Sequence, residues 1–154
     1  EMCLRLVGSE MCIRDRMLAI ENMKKNSWGR IINMTSVSVK EPLSYLALSN
    51  SMRSSVISWA KTLSNDIGHN NVTVNNILTG YFDTERLKEL NLDKAKKFNV
   101  DVDELYNKMR NQVPLGRIGK PEEFGYLITF LASDYASYIN GANIPIDGGL
   151  LKSI

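Results

Sequence analysis

GRIINMTS, residues 29–36, decides the fold together with the helical run downstream of it. Its centre, Arg30–Met34, holds Ile31 and Ile32 between turn-forming neighbours, which predicts a short strand. Ser36 to Ser44 reads as loop, with Pro42 against any continued helix. From Tyr45 to Ile67, Leu48, Met52, Val56, Trp59, Leu63 and Ile67 recur at spacings of three and four, which predicts a long helix. Gly68-His69-Asn70-Asn71 ends it. Val72 to Leu78, rich in β-branched residues, reads as a second strand, broken by Gly80. A strand, a helix of this length and another strand make the parallel crossover unit. The predicted class is therefore α/β with a parallel sheet.

The flanks extend this pattern. Met17 to Lys25 reads as the end of a helix, with Leu18, Ile20 and Met23 apolar and Asn26-Ser27 as its stop. Two polar helices are expected near Asp83–Lys97 and Val102–Gln112. Pro121 opens another at its first turn, with Glu122 and Glu123 suited to the positive end of the helix dipole. That helix runs through FGYLITFLA (124–132), and Asn143–Asp147 reads as a last strand. Pro145 costs it a ladder hydrogen bond, so it belongs near a sheet edge. The expectation is a partial Rossmann-like sheet of three strands with flanking helices. Residues 1–16, EMCLRLVGSEMCIRDR, have no clean period and resemble translated adapter sequence. They read as an extraneous or disordered leader, with 17–154 as the folding unit.

Composition excludes several classes. The chain has 154 residues, 44% apolar and 23% charged, as in an ordinary globular domain. A net charge of +2 is too small to argue for nucleic acid or an anionic membrane. The Lys94, Lys96, Lys97 cluster lies among acids and reads as a solvated helix face. No apolar run reaches the roughly 18 residues of a membrane helix, and Arg5 spoils the N-terminus as a signal peptide, so the cytoplasm is the expected location. Cys3 and Cys12 argue only weakly for a disulfide. His69 is the only histidine, which leaves no His-based metal cluster and no Ser–His pair. No metal is expected.

GRIINMTS, then AKTLSNDI (60–67), VTVNNILTGYFDT (72–84) and PLGRIGKPEEFGYLITFLASDYASYINGANIPIDGG (114–149), resemble the C-terminal half of a short-chain dehydrogenase/reductase. The likeness is strongest to reductases of 3-oxoacyl groups. It implies a Rossmann sheet of which these are the fifth, sixth and seventh strands. None of the ten glycines forms the G-x-x-x-G-x-G or G-x-G-x-x-G turn that holds a cofactor pyrophosphate. The chain thus reads as the C-terminal portion of such a domain.

Reducing a carbonyl with hydride builds negative charge on oxygen, so a site needs a hydrogen-bond donor, a proton source and a cation. In the family these are a serine after the fifth strand and a tyrosine and lysine one helical turn apart. Ser36 matches the serine; it could also merely cap a strand end. With the helix register fixed by AKTLSNDI, the tyrosine place falls on Ser49 and the lysine place on Arg53. An alkyl hydroxyl cannot give up its proton near neutral pH as a phenol can, and losing general-acid help costs roughly 10²–10⁴-fold. Arg53 keeps charge and donors and could hold ribose hydroxyls or an acidic substrate. Both residues could instead be ordinary positions on a solvated face. Tyr45 would offer a Y-x-x-x-S pair only with a shift of a full helical turn.

The resemblance also implies a cofactor role for Asn33, Arg53, Gly80 and Thr84. Asn33 lies where the family backbone runs beside the nicotinamide. Gly80 and Thr84 fit the loop that contacts its carboxamide, although Thr79 stands where proline is usual and Gly80 could simply end the strand. Glu85 to Gln112 corresponds to the variable substrate lid. The function implied is NAD(P)-dependent carbonyl or alcohol hydride transfer on a small molecule, by a homo-dimer or homo-tetramer when full length. The missing phosphate turn and the replaced Tyr/Lys pair leave open a non-catalytic relative that serves binding or assembly. They also leave open a fragment with no independent fold. Neither substrate, reaction direction nor the choice between NAD and NADP is legible.

Overall fold

The structure is a computed structural model and describes residues 19–44 and 46–153. The expected leader with both cysteines, the helix start at Met17, and Tyr45 lie outside the described residues. A helical segment over 19–25, α1, leads into a turn at Ser27, whose φ is 48°. After it come β1 (Gly29–Ser36), α2 (Ala47–Ile67), β2 (Val72–Thr79), α3 (Glu85–Phe98), α4 (Val102–Gln112), α5 (Pro121–Ala132) and β3 (Asn143–Ile146). The sheet is parallel throughout, in the order β1-β2-β3. It is the expected α/β fold with helices as the crossovers. β3 lies at the edge, with Pro145 opposite Leu78.

Alternate strand residues feed two cores on opposite faces. Ile31, Val72 and Val74 pack with Ile20 of α1 and with Ala60, Leu63 and Ile67 of α2. Ile77 packs with Leu131 of α5 and Ala136, joined by Ile32, Phe124 and Ile144. The apolar stripe expected along all of α2 is only half realised. Leu63 and Ile67 are buried, but Leu48 is 72% exposed and Met52 and Val56 are half-buried. The first turns of α2 reach past the sheet to the ends of the strands, where there is no core to cover them.

The centre of the sheet carries a polar seam. Asn33, Asn76 and Asn143 share one register position on three adjacent strands. Asn33 Nδ2 donates to Asn76 Oδ1 at 2.8 Å, and Asn76 Nδ2 donates to Asn143 Oδ1 at 2.7 Å. The neighbouring Asn75 donates to the Ile139 carbonyl and accepts from the Ala142 N–H, holding the turn into β3. Two residues beyond Asn33, Thr35 Oγ1 donates to the Ile77 carbonyl, and Thr79 Oγ1 donates to the Thr35 carbonyl. The C-terminal ends of β1 and β2 are stapled together there.

Before α5, a second polar device shapes the loop. Arg117 makes a two-pronged pair with Glu123, at 2.8 and 2.6 Å, and Glu123 Oε2 accepts the Lys120 N–H at 2.8 Å. The Arg117 bonds and the Lys120 N–H hold the Glu123 carboxyl at about 2, against an ordinary 4.5.

Both polar devices can be tested. Asn76→Ala leaves the fully buried Asn33 amide without its partner, at about 1–3 kcal/mol for a group so stranded. A urea melt of Asn76→Ala should lose stability on that scale, whereas Asn65→Ala, on the exposed face of α2, should change it little. Glu123 contributes stability fully above pH 4.5, and the contribution fades as pH falls towards about 2. The stability gap between the wild type and Glu123→Gln, measured by melts across that window, should therefore close on acidification. A gap independent of pH would contradict the pairing.

Candidate active site

Parallel crossovers place the site before any side chain is considered. A helix returning from the top of β1 to the bottom of β2 has its first turns beside the C-terminal ends of the strands. That is the edge at which open parallel sheets bind ligands. The chain leaves β1 through a 3-10 turn, Val37–Val39, and α2 packs against both that turn and β1.

Ser36 closes β1 level with Thr79. Its Oγ accepts the Ser38 N–H at 3.1 Å and so caps the turn. A hydroxyl that accepts still has its own proton to donate, and capping and donation are compatible here. Glu41, further along the same loop, accepts the backbone N–H groups of Ser153 and Lys152, each at 2.8 Å. Those two bonds draw its carboxyl below the ordinary value and tie the loop to the C-terminal segment.

Ser49 and Arg53 stand one turn apart on one face of α2, as four-residue spacing requires. Arg53 Nε donates to Ser49 Oγ at 3.2 Å. Ser49 is half-buried and Arg53 exposed. Both line a groove of about 410 Å³ with Met34, Thr35, Leu48, Met52 and Val56. Ser49 Oγ, which accepts from the Arg53 cation, still has its own proton to donate.

Gly80 and Thr84 line a second, mainly apolar cleft of about 320 Å³, with Tyr81, Phe82, Leu87 and Phe124 among its walls. Met34 belongs to both cavities and is 64% exposed. Ser49 and Arg53 thus fall in one pocket and Gly80 and Thr84 in another, the two meeting at Met34, while Ser36 lines neither. Asn33 lies beneath, its side chain fully buried in the sheet seam, so only its backbone could adjoin a ligand.

The glycine and both threonines of the second loop have local causes as well. A Cβ on Gly80 would fall 2.7 Å from Asp147 Cα, so glycine is what lets the end of β3 cross here. Thr84 Oγ1 accepts the Leu87 N–H and caps α3. Thr79, where proline is usual in the resemblance, supplies the hydroxyl that staples β2 to Thr35.

Sequence reasoning passed over Met34 and Tyr81. Met34 could have been found from strand alternation, which turns it away from the Asn33 face. Tyr81 is the phenol of the second cleft. Burial pushes its pKa up, and its hydroxyl donates to Gln112 Oε1 at 3.0 Å. Both features make it a poorer proton donor than an exposed phenol. Among the described residues no cluster of three or more His, Cys, Asp or Glu is placed to hold a metal ion, and no helix is long and apolar enough to cross a membrane.

The likeness to known proteins covers the same ground. The family model described as enoyl-(acyl carrier protein) reductase matches residues 12–151. The chain is 35% identical over 132 residues to the NADPH-dependent reductase BacG of Bacillus subtilis, covering 86% of this chain and 51% of that one. It is 31% identical over 134 residues to the 3-oxoacyl-[acyl-carrier-protein] reductase FabG of Pseudomonas aeruginosa, covering 87% and 50%. L-sorbose reductase from Gluconobacter frateurii, solved with NADPH and L-sorbose, superposes with a TM-score of 0.81 at 26% identity, covering 88% and 52%. The chain spans about half the length of the curated relatives it matches. It belongs to the short-chain dehydrogenase/reductase family.

Proposed function

We propose that the protein to which this chain belongs is an NAD(P)-dependent oxidoreductase that reduces the carbonyl of a small molecule or oxidises the corresponding alcohol. The observation that carries this reading is the Arg53–Ser49 hydrogen bond in a groove at the C-terminal edge of the sheet. BacG and FabG are reductases by name, and L-sorbose reductase was solved with NADPH. Their likeness supports the reading.

The residues present suit one end of a dinucleotide. Ser36, Ser49 and Arg53 offer two hydroxyl donors and a cation, which fit a carbonyl oxygen and ribose hydroxyls. Thr84 and the backbone at Gly80 line the adjoining cleft, where a carboxamide could be held. The ten glycines include no turn for a pyrophosphate. A reduced nicotinamide, when bound, would supply hydride, two electrons and one hydrogen, for the carbonyl carbon. As the carbonyl π pair moves onto oxygen, Ser49 donates a hydrogen bond to that oxygen, and Ser36 is the second candidate donor at the end of β1. Arg53 strengthens the Ser49 donor, because a hydroxyl that accepts from a cation donates more strongly. Neither serine is acidic enough to give up its proton, so water completes the alcohol. Exposed Tyr126, Phe130, Tyr135 and Tyr138, on and just after α5, suit assembly into a dimer or tetramer.

The absence of a phenol beside Arg53 among the described residues favours one other reading, a family member that binds cofactor without turning over. Purified full-length protein, NADPH or NADH, and a panel of ketones and 3-oxoacyl esters separate the two by the fall in cofactor absorbance. Turnover is expected. Ser49→Ala should lower kcat by on the order of 10²-fold, the cost of one donor to a developing oxyanion. Cofactor binding without turnover on any member of the panel would establish the second reading.

A further inference from the structure

β3 pairs with β2 only from Asn143 onward, opposite Asn76. Upstream of that point a side chain stands in for the ladder. Asn140 Oδ1 accepts the Val74 N–H at 2.9 Å, and the Gly141 N–H donates to the Val74 carbonyl at 2.9 Å. The two residues bracket Val74 as a paired strand would. Asn140 Nδ2 donates to the Ser64 carbonyl of α2, also at 2.9 Å. One amide thus ties the turn before β3 to both the sheet and the helix. Gly141 is as closely specified. Its φ is 68°, and a Cβ there would fall 2.7 Å from Lys61 Nζ and from Ser64 Oγ. The fold therefore uses an amide at 140 and no Cβ at 141. Of the asparagines in the chain, only Asn140 precedes a glycine.

That dipeptide carries a reaction of its own, because a glycine nitrogen with no neighbouring Cβ can reach the side-chain carbon of the asparagine before it. Gly141 N attacks Asn140 Cγ. The N–Cγ bond forms, the Cγ–Nδ2 bond breaks, and Nδ2 leaves as ammonia with the proton of Gly141 N. Water then opens the cyclic imide at either of its carbonyls. One opening gives aspartate; the other gives isoaspartate, in which the main chain runs through the side-chain methylene. Water is the sole co-reactant, and Asn140 is exposed. The attack nevertheless needs the Gly141 N–H to leave Val74 and the amide to leave Val74 and Ser64. We propose that Asn140 is a deamidation site, closed by the native turn and opened when β3 comes away from β2. Either product damages the latch. Aspartate sets a carboxylate oxygen against the Ser64 carbonyl in place of an N–H donor. Isoaspartate lengthens the main chain just ahead of Gly141, out of step with the Val74 carbonyl and with the seam residue Asn143 beyond it.

The test incubates the full-length protein at mildly alkaline pH, once folded and once in urea. Mass and fragmentation of the tryptic peptide that carries Asn140 follow the conversion, and enzymatic methylation counts isoaspartate. Conversion in the folded protein should be slower by at least about tenfold, since it waits on local opening. Asn75→Ala removes the bonds to the Ile139 carbonyl and the Ala142 N–H on either side of the turn. It should move the folded rate towards the rate in urea. Protein converted in urea and then refolded should have a lower urea midpoint than untreated protein carried through the same cycle, and Asn140→Asp should lower it too. Equal rates in the two states would overturn the gate, whether or not Asn75→Ala folds. A converted chain with an unchanged midpoint would overturn the latch.

Discussion

The seam of amides at Asn33, Asn76 and Asn143 is the constraint on which the remaining geometry depends. A parallel sheet could slide by one residue and keep most of its backbone hydrogen bonds, but the slip would turn every side chain to the opposite face. Three side chains that bond only when level with one another forbid it. In that register Ser36 is opposite Thr79, and the threonine staples at 35 and 79 bind the two strand ends together. The loops that carry Ser36 and Gly80 therefore leave the sheet at one height and from neighbouring strands.

The helices complete what the sheet begins. Burial of Ala60, Leu63 and Ile67 fixes the lower half of α2 against β1 and β2. The upper half is free of the core and presents Ser49 and Arg53 to the groove. A site of this kind differs in character from one built on a phenol and an ammonium. A guanidinium and an alkyl hydroxyl do not change protonation in the ordinary range. They can steady a charge that develops on oxygen, but the proton has to come from solvent. Met34 joins this groove to the cleft walled by the α3 residue Leu87 and the α5 residue Phe124, so the groove has an apolar neighbour on that side.

Much of the architecture was legible in sequence because periodicity reports burial. Ile31, Ile32 and the run from Val72 to Leu78 marked strands; Leu63 and Ile67 marked a helix face; Pro121 marked a helix start. The places of Ser49 and Arg53 came from counting back along an uninterrupted helix, which keeps its register. Leu48 misled, because helical spacing cannot tell a side chain over the sheet from one past its end. The amide seam was not foreseen, since asparagine ordinarily signals a turn and only the pairing of strands distant in sequence satisfies it. Thr79 read as a departure from a pattern, and its reason, the bond to the Thr35 carbonyl, exists only across strands. Both strands β1 and β2 also run on to Ser36 and Thr79, further than propensity alone indicated, because these cross-strand bonds extend the pairing.

The most direct measurement is an experimental structure of the full-length protein with a nicotinamide cofactor bound. The Ser36 and Ser49 hydroxyls are both expected to face the reactive edge of the nicotinamide, with the Arg53 Nε bond to Ser49 retained. Ser49 or Arg53 turned to solvent, or a phenol from elsewhere in the protein seated beside Ser36, would contradict that geometry.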